Sequence, residues 1–285
     1  MKKLLLTTLL VCLTGCGGSG GSNVTVTFSP ADVATDQVYG ATITATFSDT
    51  ITAPSDWSTV FTVTVTNDTT NLCTSYSYDE TGKVVTCTHG NLSKDTQYTV
   101  TISGLSGVTD GSVTFTTVSG LTVFITSTTH NGNFGGLSGA DDFCATRATA
   151  AGLSGTFRAW LSADVVGVTP AVNAVDRIVD GKYVRTDGQT IASGLTELLS
   201  GTLQNPIDGD ESENQVSAEY NVWTGSWADG TVCETDNCDG WITDLSGQDS
   251  IVGSSNQTTD NKWNFTDSSY NCDEVLHIYC FQISD

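Results

Sequence analysis

The sequence predicts two domains of different class: an all-β antiparallel sandwich over residues 24–118, then an α+β domain over residues 121–285 with one helix packed on a small sheet. Three observations carry this. Short runs that alternate Thr with apolar residues fill the chain from Val24 to Thr117. A single stretch of helical period follows, from Ala140 to Ala151. Beyond it, Trp and Cys recur through loops rich in Gly and Asp.

At the N-terminus, Lys2 and Lys3 precede an apolar run, Leu4 to Leu13, that ends in Leu13-Thr14-Gly15-Cys16. This pattern is expected to be a signal peptide over residues 1–15 with a lipobox, in which Cys16 takes the lipid. The run is shorter than the ~20 residues that a spanning helix needs. Residues 16–23 then form a Gly/Ser tether. Gly17 to Gly21 also fits G-x-S-x-G, but no strand precedes Ser19 and no helix follows, so no nucleophile elbow is expected.

The chain carries 10 Lys and Arg against 32 Asp and Glu, a net charge of −22, and loss of Lys2 and Lys3 takes it to −24. Nucleic acid and anionic headgroups are therefore disfavoured partners. Apolar residues make up 38% of the chain, with six Trp and ten Phe, enough for packed cores. Nine cysteines in an exported protein imply disulfides.

In the first domain the runs are VTVTF, ATITATF, FTVTVTN, CTSYSYD, KVVTCTH, QYTVTIS and SVTFTT, separated by Gly, Asp, Asn and Pro. Period-2 alternation puts one face of each in a core and leaves Thr outward. Cys73 and Cys87 flank the turn Asp79-Glu80-Thr81-Gly82, so they are expected across from each other on neighbouring strands. Closing a loop of ~15 residues there would stabilise by ~3 kcal/mol. Pro30-Ala31-Asp32, with Leu92-Ser93-Lys94-Asp95-Thr96-Gln97-Tyr98-Thr99-Val100, resembles bacterial immunoglobulin-like domains of surface proteins. That resemblance implies a spacer, with a binding module as the alternative.

In the second domain Ser138-Gly139-Ala140-Asp141 reads as a capping box, with Ser138 as N-cap. Ala140, Phe143, Cys144, Ala148 and Ala151 then share one helical face and Gly152 supplies the stop. Thr156 to Ser162 alternates as a strand. Trp223, Trp227, Trp241 and Trp263 fall in loops.

Phe143-Cys144 and the run Ala151 to Ser162 are very similar to endostatin, the C-terminal fragment of a basement-membrane collagen. So are Ser138 to Asp141, Ala174 to Arg177, Val222 to Ser226, Cys238-Asp239-Gly240-Trp241 and Ile278-Tyr279-Cys280. Together with Thr126 to Gly132 and the ending Tyr279-Cys280-Phe281-Gln282, they resemble the endostatin-like lipoproteins of spirochaetes and other bacteria. The resemblance implies a C-type-lectin-like fold and a role in binding host or extracellular-matrix proteins. It also implies disulfides Cys144–Cys280 and Cys238–Cys272 and leaves Cys233 over, the alternative being Cys233–Cys272. Of endostatin's Arg-rich heparin surface only Arg158 and Arg177 have matching positions. His130 and His277 stand outside the context of its zinc site. In Trp263-Asn264-Phe265, Phe265 replaces the calcium-ligating Asp of sugar-binding C-type lectins.

Asp208, Asp210, Glu211 and Glu213 could gather oxygen ligands for calcium, a weak signal beside a solvated acidic loop. No other cofactor is implied. Cys233 and Cys238 lack a second Cys or His pair for a metal, and three His with no phosphate loop or activated nucleophile offer no enzyme. The expected function is a surface-exposed, lipid-anchored binding protein or adhesin of an outer membrane or cell surface, directed at a matrix or serum protein. An envelope glycan-binding lectin and a structural lipoprotein without specific ligand are the alternatives. The expected contact residues are Trp227 and Asp229, with Asp208, Asp210 and Glu211 as part of an exposed acidic rim. Trp223 and Trp241 are read as core.

Overall fold

A computed structural model describes residues 24–81, 83–164, 170–216 and 220–284. Cys16, the signal peptide and the tether lie outside them. The architecture is mostly β with few helices.

The first unit has strands β1 (Val26–Ser29), β2 (Ala34–Gln37), β3 (Ile43–Phe47), β4 (Phe61–Val65), β5 (Ser75–Asp79), β6 (Val84–Thr88), β7 (Gln97–Ile102) and β8 (Gly111–Thr117). They form two four-stranded sheets, ordered β1-β3-β6-β5 and β2-β8-β7-β4. Ile43, Ala45, Phe47, Phe61, Val63, Val85, Val100 and Phe115 fill the space between. The pleat sends these residues inward and the intervening Thr outward. Seven of these strands lie within the alternating runs. The eighth, β2, has no alternation in its Ala-Thr-Asp-Gln and pairs with β8 in parallel, so the sandwich is not wholly antiparallel.

Cys73 is bonded to Cys87, but not from across the ladder. The register sets Tyr76 opposite Cys87, and Cys73 reaches it from before β5.

Three residues, Val118 to Gly120, lead from β8 into β9 (Leu121–Ile125). There follow α1 (Leu137–Ala150), β10 (Thr156–Ala159), β11 (Tyr183–Arg185), β12 (Thr190–Ala192), α2 (Leu195–Leu198), β13 (Asn221–Trp223), α3 (Cys238–Trp241), β14 (Asp249–Ser254), β15 (Ser269–Asn271) and β16 (His277–Ser284). The strands make one sheet of eight, larger than the small sheet expected, in the order β12-β11-β9-β16-β13-β14-β15 with β10 on β16. β9 pairs in parallel with β11, and β13 with β16. Two cores lie about it, one around Phe124, Phe157, Trp223 and Trp241, the other around Trp160, Trp263, Tyr279 and Phe281.

Helix α1 buries Ala140, Cys144 and Ala148, and Cys144 is bonded to Cys280 of β16. Its end is a Schellman motif. Gly152, at φ 74°, donates to the Thr149 carbonyl, and Leu153 donates to that of Ala148. Its start corrects the capping-box expectation. The N-cap is Gly136, with no side-chain cap, and Ser138 lies inside the first turn. That turn closes over Phe134: a Cβ at Gly139 would sit 1.8 Å from the Phe134 carbonyl oxygen, so only glycine fits. Asp141, freed from capping, accepts the Ala159 N–H at 2.9 Å and pairs with Arg177 at 2.6 Å.

The run Thr156 to Ser162 stays a strand only to Ala159. Trp160, Leu161 and Ser162 are all buried, because the chain there turns inward between the two cores. Cys238–Cys272 fastens the turn α3, whose residues Cys238, Asp239, Gly240 and Trp241 all have positive φ. The Asn237 side chain accepts from the Gly240 N–H at 2.7 Å to hold it. Cys233 is free and buried. Burial, with the Asp236 carboxylate beside it, pushes its thiol up, which makes it a poor nucleophile.

Candidate binding surface

Beyond β13 the chain passes through buried Thr224 and Ser226 and then reverses between Trp227 and Gly230. The Trp227 N–H donates to the Thr231 carbonyl, and the Gly230 N–H returns a bond to Trp227, both at 2.8 Å. Asp229 stiffens the reversal by accepting from the Thr231 hydroxyl at 2.6 Å and N–H at 3.0 Å. These bonds hold its carboxyl below the usual range, so it stays charged. The Trp227 ring lies against Phe265, centroids 5.3 Å apart.

Buried side chains tie the turn to the core: the Ser162 hydroxyl donates to the Gly230 carbonyl at 3.3 Å, and Asn264 holds the other end. Asn264 is fully buried; its amide donates to the Trp227 carbonyl at 2.7 Å and its oxygen accepts from the Trp160 indole at 2.6 Å. Asn264 is thus a strut, with both amide atoms engaged inside the domain. The sequence triplet Trp263-Asn264-Phe265 supplies strut and partner ring together, which inspection of Trp227 alone does not show.

Trp227 is 44% exposed, whereas Trp160, Trp223, Trp241 and Trp263 are at most 1% exposed. This separation decides which of these tryptophans can meet a ligand.

The expected acidic rim is corrected. Asp210 and Glu211 are 7% and 6% exposed. Asp210 accepts from the Ser212 and Asn214 N–H groups at 2.8 and 2.9 Å, and Glu211 from the Ser127 N–H at 2.8 Å and the Ser127 hydroxyl. Asp208 pairs with the buried guanidinium of Arg185, which also binds Asp187 at 2.6 Å. Burial holds the Asp208 carboxyl above its usual range despite Arg185. Asp187 is half-buried, but its bonds from Arg185 and the Gln189 N–H outweigh the desolvation and hold it below. These carboxylates staple residues 208–214 onto β9, where Ile125 donates to the Gly209 carbonyl at 3.0 Å. They are neither a solvated loop nor a gathered ligand set, and among the described residues no three His, Cys, Asp or Glu stand where they could hold a metal ion. Of the five expected contact residues, Trp227 and Asp229 lie together at the surface.

The family model described as a bacterial Ig-like domain matches residues 22–128. The one described as a protein of unknown function, DUF1554, matches residues 127–261. The chain thus carries a bacterial Ig-like domain at its N-terminus, followed by a DUF1554 domain. The second match stops short of β16, which lies at the centre of the second sheet. No curated protein matches the chain.

Proposed function

We propose that this is a lipid-anchored protein of a bacterial outer membrane or cell surface that binds a protein ligand, of the matrix or serum class, through its C-terminal domain. The immunoglobulin-like domain serves as its stalk. In this reading the C-terminal domain is C-type-lectin-like and related to endostatin. A helix bonded to the last strand through Cys144–Cys280 and a loop-rich segment fastened by Cys238–Cys272 support that.

The observation that carries the reading is the Trp227–Phe265 pair. An exposed indole on a turn locked by Asn264 and Asp229 presents a large apolar face at little cost in conformational entropy, beside a fixed negative charge. Surface plasmon resonance of the full chain against matrix and serum proteins tests it. Trp227→Ala is expected to raise Kd at least tenfold, about 1.4 kcal/mol. Equal binding by the variant would refute the assignment.

The anchor has its own test. Cys16→Ala is expected to move the protein from the detergent phase to the aqueous phase, because no other feature of this acidic chain favours lipid. Retention in membranes with the signal peptide removed would refute the lipid anchor.

A further inference from the structure

Among the described residues of the second unit, Leu245 is 63%, Val275 57% and Ile242 49% exposed. Exposed apolar residues scattered singly need no explanation, but a group of them at one place marks an interaction surface. These three gather about residues 130–136. Leu276 exchanges backbone hydrogen bonds with His130 at 2.8 and 3.0 Å, antiparallel, which sets Asn131 opposite Val275. The Asn131 amide in turn donates at 3.3 Å to Asp244, the neighbour of Leu245. Gly136 donates to the Trp241 carbonyl at 2.9 Å, and a Cβ on it would lie 3.9 Å from the Ile242 side chain. The loops that carry the three are fixed to each other as well. Cys238 is bonded to Cys272, and the Cys272 N–H donates to the Gln248 carbonyl at 2.8 Å. From the same segments Phe134 and Leu276 turn into the core around Trp241, so the core is served without Leu245, Val275 and Ile242.

Charge selects the occupant. Asp239, Asp244, Asp273 and Glu274 stand exposed on these loops, and none of them is in an ion pair among the described residues. Lys262 is the only Lys or Arg after Arg185. Its carbonyl accepts from the Ser254 N–H, which places it at the opposite end of β14 from Asp249 and the loop before it. Arg147 of α1 lies over the Phe143 ring, 5.8 Å from its centroid. An apolar centre with a rim of one sign fits a segment whose apolar residues are flanked by Lys or Arg. The same rim opposes other occupants. A second copy would set carboxylates against carboxylates, and an anionic membrane would repel it.

We propose that this face docks a basic amphipathic segment of a protein partner, with the partner's apolar residues on Leu245, Val275 and Ile242 and its Lys or Arg among Asp244, Asp273 and Glu274. The face shares no residue with the Trp227 surface and does not rest on it.

The probe is a helical peptide of Leu and Lys with one apolar face. It is passed by surface plasmon resonance over the full-length protein in phosphatidylcholine nanodiscs, with empty nanodiscs subtracted. Two control peptides replace its Leu by Ser or its Lys by Glu. The Leu/Lys peptide is expected to bind at least tenfold more tightly than either control, and more weakly as salt rises. Leu245→Ser with Val275→Ser is expected to weaken it at least tenfold, with Tm unchanged because both side chains are exposed. Asp273→Asn with Glu274→Gln is expected to weaken it and flatten its salt dependence, whereas Trp227→Ala leaves it unchanged. Equal binding of a control peptide, undiminished affinity in the Leu245→Ser, Val275→Ser variant, or an equal loss in Trp227→Ala would each overturn the proposal. So would a lowered Tm of that double variant, which would assign the two side chains to the fold. Self-association of the full-length protein that the double variant abolishes would also overturn it, by making a second copy the occupant.

Discussion

Replacing Cys144 and Cys280 together by Ala is expected to destabilise the second unit by about 5 kcal/mol, the largest single effect in the molecule. The bond spans 136 residues, against 14 for Cys73–Cys87 and 34 for Cys238–Cys272. In the chain-entropy account the stabilisation grows with the logarithm of the loop closed, so the other two contribute about 3–4 kcal/mol each. Location adds to length. The bond joins the buried face of α1 to β16, the strand that pairs with β9, β10 and β13, so its loss loosens the helix from the centre of the sheet. Urea unfolding followed by tryptophan fluorescence reads this unit selectively, since only Trp57 of the six tryptophans lies in the first. A loss below about 2 kcal/mol would show that the sheet and helix hold together without the bridge.

How far the sequence discloses this protein depends on the range of the interactions that decide each feature. Strands β1 and β3 to β8 are legible because alternation is local: Thr and Val two apart already define a face. Strand β2 is not, because what makes Ala34–Gln37 a strand is its pairing with β8, some eighty residues away. The face of α1 is legible from Ala140, Cys144 and Ala148. Its start is not, because a polar residue three before an acidic one imitates a capping box, while the close approach of Gly139 to the Phe134 carbonyl sets the real boundary.

The same holds for the candidate surface. Asp208, Asp210 and Glu211 look like a solvated acidic loop because their neighbours in sequence are acidic and polar. Their charges are answered from a distance, by Arg185 and by Ser127, the latter 84 residues away. Trp227 does not differ from Trp223 or Trp241 in local composition. What separates them is closure of the sheet over the latter two, and Asn264 holding the turn that carries the first.

Arg177→Met is expected to cost about 3–5 kcal/mol, and its failure would change the reading of the basic residues. The sequence resemblance to endostatin implies a place for Arg177 on a heparin-binding surface, yet here its guanidinium is turned into the domain. It donates to the carbonyls of Ala159 at 2.7 Å and Leu161 at 3.1 Å and to Asp141 at 2.6 Å. Burial pushes its pKa down, and the Asp141 carboxylate opposes that. Met keeps the apolar stem but leaves Asp141 without its cation and the Leu161 carbonyl without its guanidinium donor, while the Ala159 carbonyl keeps only the Leu161 N–H. Replacing Asp141 by Asn as well removes the orphaned charge while the amide oxygen can still accept from the Ala159 N–H. The double variant is therefore expected to recover part of the loss, and a double-mutant cycle from urea unfolding reads the coupling. Strict additivity would mean that the two side chains are not coupled in solution and that Arg177 is available at the surface. With coupling, Arg158 alone of the two matched arginines is exposed. One guanidinium on a chain of net charge −22 does not make a polyanion site, which directs the search for partners to proteins and neutral glycans rather than to heparin.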